Sequence, residues 1–106
     1  MSSFQVVLCT CPDQQTAENL ARHIVQQQLA ACVNIVPGLT SVYRWEGQIE
    51  SASECLLLIK TDQQLYPQLE ECLLKQHPYA LPEISALPIT QGAPAYLHWL
   101  AASLAA

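Results

Sequence analysis

The sequence predicts an α+β fold with the element order β-α-β-β-α-β followed by a terminal helix. Three observations predict this order. Segments with strand-like and helix-like apolar spacing alternate along the chain, prolines and glycines separate them, and two consecutive strand-like segments flank a tight-turn signal. The order is the split-βαβ, or ferredoxin-like, arrangement, in which two helices cover one face of a four-stranded sheet. Since 106 residues have room for one core, we expect residues 1–106 to form a single domain.

The first quarter of the chain contains a predicted strand and a predicted helix. The segment of residues 4–10 is short, is partly β-branched and is followed by Pro12, and these features predict a strand. Asp13 is a suitable N-cap for the helix that follows. The apolar residues of this helix recur at the spacing of one helical face: Ala17, Leu20, Ala21, Ile24, Val25 and Leu29.

A long β-hairpin is predicted next. Its first strand occupies residues 31–36 and 41–45, with a bend or bulge at Pro37-Gly38. Glu46-Gly47 is a tight-turn signal, and residues 48–61 return as the second strand of the hairpin. The hairpin is longer than the core of so small a domain requires, so we expect its tip to project.

The second half of the chain completes the order. Thr61 and Gln64 have the spacing of a capping box and are predicted to open a helix. Pro67 places the start of its regular part close to that proline, and Pro78 ends it. Residues 81–89 form the fourth predicted strand, and its prolines favour an edge position. Pro94 fits the first turn of the final helix.

Both faces of the predicted sheet are apolar, and this pattern indicates self-association. In the first strand Val7 and Cys9 point to one face while Val6 and Leu8 point to the other. A sheet with one wet face should alternate apolar and polar residues. At about 25 cal/mol per Å², leaving several such side chains in water would cost several kcal/mol, which is comparable to the stability of a whole domain.

Composition and charge disfavour several classes of protein. The net charge is −5 and the four basic residues are scattered, so we expect no nucleic-acid binding. No apolar run approaches the roughly 20 residues that a membrane-spanning helix needs, and the first residues lack the pattern of a signal peptide. Five cysteines without a framework spacing favour free thiols and a cytoplasmic protein.

The chain resembles the CutA family of divalent-cation tolerance proteins in five segments that span nearly the whole sequence. They are VVLCTCPD (6–13), LAACVNIVPGLTSVYRWEGQIE (29–50), LLLIKT (56–61), HPYALPEI (77–84) and YLHWL (96–100). The resemblance implies a cytoplasmic homotrimer whose sheets face one another. It also implies copper binding and a role in tolerance of divalent metals. The family is similar in architecture to the trimeric PII signalling proteins, which bind small effectors between subunits.

The resemblance also implies metal ligands, at Cys9, at the pair Gln76-His77 and at Glu83. The first position of that pair is often histidine in the family, and glutamine is a poor ligand. Cys11 follows Cys9 by two residues on the same predicted strand face and is a candidate to replace the missing ligand. Thiolate and imidazole ligands suit copper, and thiolates favour Cu(I). The metal site that the resemblance implies is thus Cys9, His77 and Glu83, and these side chains would bind a copper ion.

Three alternatives compete with this metal site. The family's similarity to PII proteins implies, as an alternative, a regulatory module that binds a small effector in clefts between subunits, with candidate contacts at Lys60, Arg44 and the connector of residues 75–84. A cysteine and His77 would also suit a nucleophile–base pair, but no local motif supplies an orienting group or an oxyanion site, so we predict that the protein is not an enzyme. Buried cysteines are, moreover, commonly small core hydrophobes.

Overall fold

The computed structural model of the chain describes residues 3–105, so residues 1, 2 and 106 of the predicted domain lie outside it. The described residues form four strands and three helices in the predicted order, which confirms the α+β, ferredoxin-like fold class. The elements are β1 (Phe4–Cys11), α1 (Gln14–Gln26), β2 (Cys32–Trp45), β3 (Gln48–Asp62), α2 (Tyr66–Gln76), β4 (Ile84–Pro88) and α3 (Pro94–Ala102).

The strands form one sheet with the order β2-β3-β1-β4, and every neighbouring pair is antiparallel. Within residues 3–105, β4 pairs only with β1, so it occupies the predicted edge position. It is shorter than the predicted residues 81–89. Pro82 has no backbone N–H to donate to a ladder, and the strand begins only after it, at Ile84.

The two special positions of the hairpin lie where the sequence predicts them. The register between β2 and β3 shifts between Val36 and Leu39, and Gly38 takes a left-handed φ of 74° at this bulge. At the tip, Glu46 and Gly47 both have positive φ, 51° and 78°, and connect the paired residues Trp45 and Gln48. Positive φ at both central residues is the type I′ turn of a two-residue hairpin.

Helices α1 and α2 cover the first face of the sheet. Directly opposite residues of antiparallel strands share a face, and the pairs Val7–Ile59 and Cys9–Leu57 are fully buried there. Asp13 caps α1 as predicted, because its carboxylate accepts a hydrogen bond of 2.8 Å from the backbone N–H of Thr16. The hydrophobic core of the chain lies on this face of the sheet.

The predicted capping box of the second helix is wrong. Thr61 is the penultimate residue of β3 and is fully buried, and its hydroxyl donates a hydrogen bond of 2.7 Å to the Leu29 carbonyl. The carboxylate of Asp62 instead accepts from the Leu65 N–H at 3.0 Å. The helix begins at Tyr66, with Pro67 in its first turn.

The second face of the sheet carries the pair Leu8–Leu58, which is only half-buried in the subunit. Further along the hairpin, Val42 and Ile49 are 69% and 66% exposed. The projecting hairpin elongates the subunit to 44 × 25 × 22 Å, with a radius of gyration of 14.3 Å against about 13 Å for a compact domain of this length. Apolar surface is thus left open on the second face and along the hairpin.

Candidate metal centre

Two thiols and one imidazole meet at the end of the central strand β1. The Sγ atoms of Cys9 and Cys11 and a ring nitrogen of His77 all lie within 4.8 Å of one another, and the three side chains are buried. The structure therefore brings together Cys9 and His77, two of the three ligands that the sequence predicts. It adds Cys11, the candidate that the two-residue spacing along the strand pointed to.

Local structure explains how residues 66 positions apart come to meet. Cys9 and Cys11 point to the helix-covered face because alternate residues of a strand share a face. His77 directly follows α2 and donates its backbone N–H to the Leu73 carbonyl at 2.9 Å, so the last turn of the helix fixes its backbone. Pro78 prevents the helix from continuing.

Hydrogen bonds occupy both nitrogens of the His77 ring. Nδ1 accepts from the backbone N–H of Tyr79 at 3.1 Å, and Nε2 lies 2.7 Å from the carbonyl oxygen of Thr10. A backbone N–H only donates and a carbonyl oxygen only accepts. We therefore assign the ring proton to Nε2. Nε2 also lies 3.9 Å from the Sγ of Cys11. Because Nε2 carries the proton in this tautomer, the ring presents an N–H group and not a lone pair on the side of the thiols.

The two thiols are inequivalent. The Cys9 thiol donates a weak hydrogen bond of 3.9 Å to the Thr10 carbonyl. Its interaction with the neighbouring Cys11 sulphur, followed by its burial, raises the pKa of Cys9, and the same interaction lowers the pKa of Cys11. The first thiolate of the pair therefore forms at Cys11, the sulphur that lies next to the imidazole.

A second polar pair lies beside the cluster, and it fixes the connector between α2 and β4 (residues 77–83), which begins with His77. The hydroxyl of Tyr79 donates a hydrogen bond of 2.7 Å to Oε2 of Glu54, whose side chain is only 7% exposed. Burial is the largest of the effects that raise the pKa of Tyr79, and this hydrogen bond to a carboxylate is the next. The Tyr79 ring also packs against His77 with 4.8 Å between ring centroids. Sequence reasoning missed this pair.

The remaining predicted positions lie elsewhere. The side chain of Glu83 is exposed and lies outside the group of Cys9, Cys11 and His77, so its role as a ligand stays a prediction. Gln76 is also exposed and lines a groove of about 380 Å³ between α1 and α2. Cys55 is buried and directly opposite Cys11 in the sheet, but it is not one of the three clustered groups.

Replacing Tyr79 by phenylalanine should lower the free energy of unfolding by about 1.5–3 kcal/mol, because a buried carboxylate loses its hydrogen-bond donor. Chemical denaturation at a fixed protein concentration measures this change. Tyr66→Phe is the matched control, since the Tyr66 hydroxyl donates at 2.8 Å to Glu70, which is not buried. An equal loss of unfolding free energy in the two variants would contradict the idea that the burial of Glu54 makes its hydrogen bond more stabilising.

The structure is thus a ferredoxin-like domain with a candidate metal site of two thiols and one imidazole at the end of its central strand. A family model described as CutA1 divalent ion tolerance protein matches residues 5–103, which is almost the whole chain. The chain belongs to this family, as its sequence motifs predicted.

Known relatives agree with this assignment in sequence and in structure. The divalent-cation tolerance protein CutA of Thermus thermophilus is 51% identical over 96 residues, which cover 91% of this chain and 93% of that protein. The chloroplastic protein CutA of Arabidopsis thaliana is 54% identical over 95 residues, and the chain spans about half (52%) of its length. The crystal structure of CutA1 from Oryza sativa superposes with a TM-score of 0.95 at 45% identity, covering 97% of this chain and 94% of that one.

Proposed function

We propose that the chain forms a homotrimer that binds copper ions at the cluster of Cys9, Cys11 and His77 and that it acts in tolerance of metal ions. One observation carries the metal-binding part of the proposal: two thiols and an imidazole converge at one buried point in a member of the divalent ion tolerance family. Thiolate and imidazole are ligands that copper accepts, and thiolates select Cu(I). The names of the relatives, divalent-cation tolerance proteins, support the physiological role.

The trimer is supported by the second face of the sheet and by the hairpin. Val6, Leu8 and Leu58 are half-buried there, and Val36 is 41% exposed. A contact with further copies of the chain would remove this apolar surface from water, and contiguous exposed apolar patches commonly mark such interfaces. The family resemblance supports three as the number of copies.

We propose a cytoplasmic location and a role without catalysis. Among the helices of residues 3–105, none has both the length and the apolarity that crossing a membrane requires. All five cysteines are free thiols, as suits a reducing compartment. A base that activates Cys11 would need a free lone pair on Nε2 of His77, whereas this nitrogen carries the ring proton.

The alternative of a PII-like module stays a prediction. Its candidate contacts included Lys60, whose ammonium group donates a hydrogen bond to the side chain of Asn34 on the second face of the sheet. A thermal-shift screen of nucleotides and metabolites would detect an effector through its stabilisation of the folded state.

Titrating the reduced protein with Cu(I) and with Cu(II) tests the proposed function. We expect the wild-type protein to bind copper and the double variant Cys9→Ala/His77→Ala to bind it much more weakly, because the variant loses groups from the cluster. Circular dichroism confirms that the variant is folded. Identical binding isotherms for the two proteins would contradict the proposed site.

A further inference from the structure

The imidazole of His77 offers no free lone pair to an ion between the two thiols. Nδ1 accepts from the Tyr79 N–H, and Nε2–H faces the Thr10 carbonyl and the Cys11 sulphur. To bind a metal through Nε2, the ring would have to move its proton to Nδ1. Two N–H donors, Nδ1–H and the Tyr79 N–H, would then face each other. Metal binding by His77 thus breaks both hydrogen bonds of a buried ring, at roughly 1 kcal/mol or more for each group left unpaired.

The two thiols, by contrast, are placed to hold an ion between them. Their sulphur atoms lie within 4.8 Å of each other on one strand face. Two metal–sulphur bonds of about 2.3 Å would span about 4.6 Å when collinear. Both sulphur atoms can therefore reach one two-coordinate ion placed between them.

We infer that the thiols of Cys9 and Cys11 alone bind the metal ion, that they select soft monovalent cations such as Cu(I) and Ag(I), and that His77 donates a hydrogen bond instead of serving as a ligand. This inference rests on the metal-binding function proposed above. Each thiol loses its proton when it binds, so uptake of one monovalent ion releases two protons and leaves one net negative charge on the pair. Nε2 of His77 lies 3.9 Å from the Cys11 sulphur, so its N–H, which donates to the Thr10 carbonyl at 2.7 Å, can share its hydrogen bond with this charge.

The same arrangement disfavours divalent cations. Structural Zn²⁺ sites are almost always tetrahedral with four ligands, and Cu(II) prefers tetragonal nitrogen and oxygen ligands. Within residues 3–105 the cluster has three groups, one of which is committed to hydrogen bonds, and the exposed Glu83 lies outside it. A member of a family named for divalent ions thus presents a site for monovalent ones.

The test is a competition titration of the reduced protein without oxygen, with Cu(I) held by a coloured chelator and separately with Ag(I), whose charge does not change with redox conditions. Cys9→Ser and Cys11→Ser should each weaken binding by more than about 100-fold. His77→Gln keeps an N–H donor and should weaken it by no more than the roughly 10- to 100-fold typical of a hydrogen-bond partner of a ligand. Cys55→Ser, at the buried thiol opposite Cys11, is the matched control and should leave the affinity unchanged.

Two spectroscopic measurements on the wild-type protein decide the point even where a variant does not fold. X-ray absorption of the Ag(I)-loaded protein should show two sulphur neighbours and no nitrogen. Nitrogen-15 NMR of the imidazole should show Nε2 protonated before and after loading. A metal-bound Nε2, or a His77→Gln variant that loses more affinity than Cys11→Ser, would overturn the inference and leave the proposed function standing. A wild-type protein that binds neither ion would overturn both.

Discussion

Replacing Leu58 by aspartate is expected to abolish the trimer. Leu58 lies opposite Leu8 in the middle of the second face, where both side chains are half-buried in the single subunit. Contact with other copies would bury the rest of this surface, and an ionised carboxylate taken into such an interface without a partner costs several kcal/mol. Sedimentation equilibrium should show the wild-type mass at three times the chain mass of 11.7 kDa and the variant at one chain mass.

Leu74→Asp is the matched control for this substitution. Leu74 is also a leucine, is 53% exposed and lies on the outer side of α2, away from the sheet. The same change of side chain there should leave the mass unchanged. A Leu58→Asp variant that keeps the wild-type mass would contradict the proposal that the second face is the contact between subunits.

Truncating Leu57 to alanine is expected to lower the free energy of unfolding by about 2–5 kcal/mol, because it removes buried methyl groups and leaves a cavity. Leu57 is fully buried and lies directly opposite Cys9 between the sheet and the helices. The loss is a large part of the 5–15 kcal/mol that a domain usually has. Urea denaturation at a fixed protein concentration measures it.

The cavity beneath Cys9 should also loosen the metal site. Leu57 lies directly opposite Cys9 on the same buried face, so the space left by the truncation should give the Cys9 thiol more freedom, and the affinity for Cu(I) should fall together with the stability. Leu74→Ala at the exposed position is the control and should change stability by no more than about 0.5 kcal/mol. Equal effects of the two truncations would mean that Leu57 does not support the core under the site.

Local chemistry made most of the fold predictable. Pro37-Gly38 and Glu46-Gly47 identified the bulge and the tip of the hairpin. Gly38 and Gly47 both have a positive φ, which a residue with a side chain adopts only with strain. The capping prediction at Thr61 failed because spacing alone does not reveal burial. Its hydroxyl satisfies the Leu29 carbonyl, which is 32 residues away in sequence, so tertiary structure overrode the local signal.

The site was predictable only in part. Cys9 and His77 came from the family motifs, and strand alternation alone pointed to Cys11. The Tyr79–Glu54 hydrogen bond joins a connector to the middle of a strand 25 residues away, and no local pattern indicates which carboxylate a tyrosine will reach. The tautomer of His77 could not be predicted from the sequence either. It depends on two backbone groups, the Thr10 carbonyl and the Tyr79 N–H, that only the folded chain brings to the ring.

A crystal structure of the protein loaded with Cu(I) without oxygen, with the metal located by its anomalous scattering, tests both parts of the account at once. We predict three chains around a threefold axis with their second faces buried, and one metal peak per chain between the sulphurs of Cys9 and Cys11. Chains that leave Leu8 and Leu58 exposed to solvent, or a metal peak distant from both sulphurs, would contradict it.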